Sequence, residues 1–331
     1  MKKSILAIAL SCALGACGGT PTGPKLRVQV QPGSSFGQIA DSLHARGIVG
    51  FVPAFRIYAR LTRADARVKP GTYGFRRGQS WSSILNDFRT GHVLTAKIVI
   101  PEGWSTTGIA PRIASATGVD SLTIFKKLLD PAMPARYKVP GPTLEGYLLP
   151  ATYDFPLNVA VDTVIAHMVG AFHRVWTPER QKLADSVKLS EREVITLASI
   201  IEKEAKHRDE LPVISSVYQN RLRIGIPLQA DPTVQYALGI HRERLLYRDI
   251  REVEDNPYNT YKIKGLPPGP IGSPSALAID AVLRPANTKF LYFVARPDGS
   301  HLFTNSLEEH NRAKQQAKLE WQAAAKADST K

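Results

Sequence analysis

One local pattern occurs three times in the first 120 residues and narrows the fold more than any other feature. Gly33-x-Ser35-x3-Ile39-x3-Leu43 returns as Gly78-x-Ser80-x3-Ile84-x3-Phe88, and again as Gly103-x-Ser105-x3-Ile109-x3-Ile113. Each copy follows a strand-like segment, at Leu26 to Val30, Gly71 to Phe75 and Ala96 to Ile100. The glycine supplies the turn, the serine is an N-cap, and apolar residues four apart mark one face of a short helix. Gly47, Gly91 and Gly118 close those helices. With a further helix from about Val52 to Leu61, residues 26–98 read as strand, helix, helix, strand, helix, strand. The expected fold class is therefore α+β: a small α/β module followed by a mixed α+β domain. A chain of 331 residues with 43% hydrophobic and 22% charged residues can bury a core of about two domains. Those values exclude a wholly disordered chain, a collagen-like chain and a polytopic membrane protein.

The N-terminus reads as an export signal. Lys2 and Lys3 precede an apolar run from Ile5 to Ala16, and a helix of that length rises about 18 Å, short of a hydrocarbon core of about 30 Å. The run ends in Leu14-Gly15-Ala16-Cys17, which resembles a bacterial lipobox. Residues 1–16 are thus read as a signal peptide, Cys17 as the lipidated residue, and 17–25 as a Gly/Thr/Pro-rich tether. Cys12 leaves with the signal, so no disulfide within the chain remains. Lys plus Arg number 43 against 29 Asp plus Glu, a net charge of +14, which calls for an anionic partner. Export turns that expectation away from nucleic acid and towards cell-wall polymers and lipid headgroups.

Chemistry concentrates behind Ser190-Glu191-Arg192-Glu193, a capping box. The helix it starts carries Val194, Leu197, Ala198, Ile201 and Ala205 on one face. At about 100° per residue, Glu202 lies at one edge of that face and Glu204 at the other, while Lys203 points away. A carboxyl at such an edge is partly desolvated, which raises its pKa towards an acid/base value. Helix geometry alone does not choose between the two acids, and both also fit the rim of an amphipathic helix. Asp231-Pro232 reads as a cap followed by proline at the first helical position, with substrate contact as the alternative. Tyr258, Asn259 and Tyr261 occupy a loop before a Gly/Pro-rich turn, where tyrosine faces suit sugars and asparagine suits N-acetyl groups. Phe290 to Ala295, Asp298-Gly299 and His301 to Thr304 read as a hairpin. Residues 120–189 read as mostly helical with an interruption from Pro131 to Pro142, and the polar tail as a fraying helix. The eight histidines show no paired ligand spacing on one helix, so neither metal nor cofactor is expected.

Leu197-Ala198-Ser199-Ile200-Ile201-Glu202-Lys203-Glu204 resembles the signature helix of the endolytic murein transglycosylases, the YceG-like or MltG family. Six further motifs match in order. They are Glu145-Gly146-Tyr147 with Pro150, Asn220 to Gly225, and Leu228-Gln229-Ala230-Asp231-Pro232-Thr233-Val234. Then come Pro257-Tyr258-Asn259-Thr260-Tyr261, Gly265 to Ile271, and Tyr292-Phe293-Val294 with Gly299, His301, Phe303, His310 and Asn311. The front strand–helix–helix–strand start is similar to a LysM-type glycan-binding module, which that family also carries. Two departures stand out. A lipid anchor replaces the family's membrane-spanning N-terminus, and Ser273-Pro274-Ser275 replaces its Asn-Pro-Gly turn, with Ser273 read as the cap of a helix.

The resemblance implies a LysM-like module over 26–98, a YceG-like catalytic domain over 99–315 and a polar tail over 316–331. It implies cleavage of the MurNAc–GlcNAc β-1,4 bond within a peptidoglycan strand, leaving a 1,6-anhydro-MurNAc end, with Glu202 as the single acid and base. Substrate contacts are expected from Glu145, Gln229, Asp231, Thr233, Tyr258, Asn259, Thr260, Tyr261 and His301. The enzyme is expected on the outer side of the cytoplasmic membrane, near peptidoglycan synthases and without a nucleic-acid partner. Two rival readings are a non-catalytic wall-binding lipoprotein and a hydrolase using two carboxylates, with Glu145 or Asp231 as the second.

Overall fold

A computed structural model describes residues 20–240, 242 and 245–328. Cys12, Cys17 and the apolar run before Cys17 lie outside the described residues. The architecture is α+β and forms two compact units. One comprises the chain through Ile98 with Ser115–Gly118 and Tyr153–Ala160. The other comprises Val99–Ala114, Val119–Thr152 and the chain from Val161 onward.

The first unit runs β1 (Thr22–Val30), α1 (Phe36–Ala45), α2 (Val52–Leu61), a 3-10 turn (Asp65–Arg67), β2 (Gly71–Arg77) and α3 (Trp81–Thr90), then enters β3 (Thr95–Ile100). The serines of the first two repeats cap as their spacing predicts: Ser35 Oγ accepts from the Gln38 amide and Ser80 Oγ from the Ser83 amide, both at 3.3 Å. β1 and β2 are antiparallel, with Leu26 opposite Phe75 and Val28 opposite Tyr73. Alternation sends Val28, Val30, Tyr73 and Phe75 to one buried face. There Phe88 of α3 meets Tyr73 and Phe75 edge-on at 4.7 and 5.2 Å, and Phe55 meets Trp81 at 5.6 Å. Each such side chain stabilises the unit by about 1.5–3 kcal/mol on burial. The third strand does not join that sheet. β3 pairs with β4 (Ala151–Pro156), a strand hidden in a segment read as helical. Its signal is a brief alternation that buries Tyr153 and Phe155.

The second unit is mostly helical: α4 (Thr106–Thr117), α5 (Ser121–Leu128), α6 (Met133–Tyr137), α7 (Val161–Val175), α8 (Pro178–Ser186), α9 (Glu191–Glu204), α10 (Leu211–Ile224), α11 (Asp231–Leu238), α12 (Tyr247–Glu252) and α13 (Ala276–Leu283). The hairpin β5 (Tyr292–Ala295) and β6 (His301–Thr304) and the helix α14 (Leu307–Asp328) follow. α9 is the axis. Every residue from Val194 to Ile201 is buried, so this helix is enclosed on all sides and not on one face alone. Its polar members are satisfied locally: Thr196 Oγ1 donates to the Arg192 carbonyl and Ser199 Oγ to the Thr196 carbonyl, each at 2.7 Å. α14 is docked over much of its length. Ala313 and Ala317 are buried, Arg296 pairs with Glu320 at 2.8 Å, and Trp321 Nε1 donates to the Ala295 carbonyl at 3.2 Å. Among the described residues no helix is long and apolar enough to cross a membrane.

Candidate active site

α9 begins on the expected capping box, with Glu193 Oε2 accepting from the Ser190 amide at 2.8 Å. It ends by emerging from the core at Glu202, Lys203 and Glu204. A helix C-terminus favours cations, so two glutamates in the last turn work against helix stability. Two acids at that end call for another role.

The structure separates the two acids by what meets them. Glu202 Oε2 accepts from the Ser275 amide at 2.9 Å and from Ser275 Oγ at 2.5 Å. Ser275 is itself the N-cap of α13, accepting from the Ala278 amide at 3.1 Å. Glu202 thus completes a helix start reached across the fold. The loop that delivers Ser275 is drawn close by two backbone bonds, Gly103 N to the Ser273 carbonyl and Ser273 N to the Trp104 carbonyl, both 2.8 Å. Gly272 is required there, because a Cβ would stand 2.5 Å from the Gly103 carbonyl oxygen. The cap is Ser275 and not Ser273, which is fully buried inside the loop.

Glu204 faces a cavity of about 660 Å³ that also receives Gln229, Asp231, Tyr261, His301 and His310. Its Oε1 accepts from the Tyr218 hydroxyl at 2.7 Å. Desolvation pushes the Glu204 carboxyl up to about 7, the charge of Asp231 adds to the rise, and the Tyr218 hydrogen bond opposes it. Asp231 Oδ1 accepts from the Tyr261 hydroxyl at 2.5 Å. Burial and that carboxylate hold the Tyr261 phenol far above its ordinary range, so it remains a donor. Asp231 is the first residue of α11 and makes no side-chain cap, since Ala230 occupies the N-cap. That frees its carboxylate for the cavity. Gln229 is held in the left-handed region at φ 52°, a strained backbone that costs about 1 kcal/mol or more at a non-glycine residue.

A third acid lines a different cavity, also about 660 Å³, with Lys203, Gln235 and Tyr236. Glu145 is 2% exposed. It accepts from the Thr106 amide at 3.1 Å, from Thr106 Oγ1 at 2.8 Å and from the Tyr236 hydroxyl at 3.4 Å. Glu145 therefore holds the start of α4, the helix of the third repeat. Desolvation raises its carboxyl to about 7 against the pull of the Thr106 bonds and the Lys203 charge. Lys203 is exposed, as the wheel predicts, yet it lines the same cavity as Glu145, and its charge opposes the rise of the Glu145 carboxyl.

A model of the YceG-like family matches residues 28–316. The chain belongs to the YceG-like family. It is 34% identical over 306 residues to a Bacillus subtilis (strain 168) protein named endolytic murein transglycosylase, covering 88% of this chain and 84% of the relative. It is 29% identical over 315 residues to a Streptococcus pneumoniae (strain D39) protein of the same name, covering 86% of this chain and 57% of that longer relative. A crystal structure of a yceG-like protein from Listeria monocytogenes superposes with a TM-score of 0.60 at 33% identity, over 88% of this chain and 99% of that one.

The remaining motif residues of this YceG-like chain divide between lining and framing. Asn259 is fully buried and donates to the Ile250 and Val253 carbonyls at 2.9 and 3.0 Å. Thr233 and Thr260 are fully buried and bond each other at 2.9 Å. All three shape the loop that presents Tyr261. Tyr258 packs its ring 4.8 Å from Tyr236, beside the Glu145 cavity. His301 turns inward, its Nδ1 2.7 Å from Glu210. Three residues without an assigned sequence role also shape the Glu204 cavity. Tyr218 is the donor to Glu204. Arg221 is 7% exposed, fixed by the Leu291 and Leu228 carbonyls at 2.6 and 2.9 Å. His310 stacks on Tyr292 at 4.9 Å, and desolvation lowers its pKa to about 4. Arg221 and His310 were visible as motif letters, but no spacing rule ties either to an acid on another helix.

Proposed function

We propose that the chain is an endolytic murein transglycosylase that acts outside the cytoplasm. It cleaves the β-1,4 bond between MurNAc and GlcNAc inside a glycan strand and closes the MurNAc C6 hydroxyl onto C1. In this reading the acid is Glu204, in place of the Glu202 that the motif alone favours. The observation that carries the choice is the Glu204 carboxyl, with a pKa near 7, facing a cavity of about 660 Å³. Glu202 is instead engaged by the amide and hydroxyl of Ser275.

The steps balance on one carboxyl. Protonated Glu204 gives its proton to the glycosidic oxygen as the bond to C1 breaks, and GlcNAc leaves with a free O4 hydroxyl. The resulting carboxylate takes the proton from O6 as O6 attacks C1, which regenerates the acid and consumes no water. A pKa near the working pH suits a group that must donate and then accept. Attack from within the same sugar gains from proximity. The Asp231 carboxyl, 2.5 Å from the Tyr261 hydroxyl and lining the same cavity, is suited to stabilise positive charge developing at C1. Gln229 and Tyr261 line the same cavity as sugar contacts. Cys17 carries the lipid anchor, and the first unit holds the glycan strand.

Activity of two single variants on purified peptidoglycan tests the assignment. Glu204→Gln should lower the rate by about 10²–10⁴ or more with unfolding unchanged, whereas Glu202→Gln should remain active and lose stability. The reverse pattern would return the role to Glu202, and activity in both would move the acid to Glu145.

A further inference from the structure

We propose that the first unit rests on an anionic phospholipid surface through the outward face of α2. Residues 22–98 hold twelve Lys and Arg against three Asp and no Glu, a net charge of +9 out of +14 for the whole chain. α2 itself contains no acid. Its inward side buries Ala54, Phe55 and Ala59. Its outward side presents Pro53, Arg56, Ile57, Arg60 and Leu61, spaced i, i+3, i+4, i+7 and i+8, all exposed.

Lone exposed apolar residues are ordinary; the arrangement here is not. Within residues 22–98 the large apolar side chains left in solvent are Phe51, Ile57 and Leu61, at 62%, 52% and 79% exposure, and all three belong to α2 or its N-cap. Among the described arginines of α2, Arg56 is paired with Asp41 at 2.9 Å, and Arg60 and the following Arg63 extend into solvent. Aliphatic side chains set among cations on an acid-free helix face match a bilayer interface, where the apolar groups enter the headgroup boundary and the cations meet lipid phosphates. Length agrees as well. Cys17 and the first residue of β1, Thr22, are five residues apart, a reach of at most about 18 Å. With the lipid anchor proposed above, that tether keeps the unit against the membrane. The charge and the α2 face stand without it.

The test is co-sedimentation with lipid vesicles, using a chain that starts at residue 20. Every described core residue lies from Val28 onward, so this chain keeps both cores and loses the apolar leader. It should pellet with phosphatidylcholine vesicles containing phosphatidylglycerol and not with phosphatidylcholine alone, and release as salt rises. Ile57→Ser with Leu61→Ser, and separately Arg60→Gln with Arg63→Gln, should each weaken binding about tenfold or more. Thermal unfolding should be unchanged, because these side chains are exposed. Equal binding to neutral vesicles, wild-type binding by both variants, or pelleting with peptidoglycan sacculi but not vesicles would overturn the proposal.

Discussion

Glu204 and Tyr218 form a pair whose titration can be read in the rate. In the proposed mechanism the protonated carboxyl starts the reaction, so the rate should fall as pH rises through about 7, the value to which desolvation pushes Glu204. The Tyr218 hydroxyl favours the carboxylate. Tyr218→Phe should therefore raise the carboxyl pKa further and move the alkaline limb to higher pH. A limb that stays in place or moves down would remove Glu204 from the acid step. Glu145 makes a separate statement, about stability. Its folded pKa of about 7 lies above its ordinary, unfolded value of 4.5, so between those values the folded state holds the extra proton. Stability is then full below about 4.5 and declines as pH rises through 7, by roughly 3 kcal/mol for a shift of this size. Unfolding temperature against pH should fall less steeply in Glu145→Gln than in the wild type; parallel curves would contradict the assignment.

Short elements were legible where their signal is local. The serine caps at Ser35, Ser80 and Ser190 and the β5–β6 hairpin need only neighbours three to ten residues away. The α+β class followed from them. What was not legible depends on distant partners. Glu202 and Glu204 are equivalent on a helical wheel, and they part company because Ser275 lies 73 residues from one and Tyr218 lies 14 residues from the other. Lys203 is exposed, as its wheel position predicts, although the helix is enclosed on all sides from Val194 to Ile201. Asp231 was misread by one position, since Ala230 takes the cap. The coupling of α9 to α13 is itself testable. Ser275→Ala removes the α13 cap and the hydroxyl donor to Glu202 while keeping the amide donor, and should destabilise by about 1–2 kcal/mol. In a double-mutant cycle with Glu202→Gln the two losses should not add. Strict additivity in urea unfolding would mean that the bond contributes nothing.

Over the whole molecule, charge and the proposed lipid anchor bear on where the chemistry happens. The net charge of +14, or +12 (14 − 2) without Lys2 and Lys3 of the expected signal peptide, is complementary to the carboxylates of peptide stems and to the lipid phosphates proposed above. Binding to sacculi should weaken as ionic strength shortens the screening length from about 10 Å at 0.1 M. Cys17→Ser should abolish labelling by a lipid precursor in cells; undiminished labelling would remove the anchor. Whether one carboxyl drives an intramolecular transfer and not a hydrolysis is decided by mass spectrometry of the fragments released from peptidoglycan by the wild type and by Glu204→Gln. Internal cleavage products ending in 1,6-anhydro-MurNAc are expected from the wild type and none from the variant. Fragments with hydrated reducing ends from the wild type, or anhydro ends from Glu204→Gln at an undiminished rate, would contradict that transfer by Glu204.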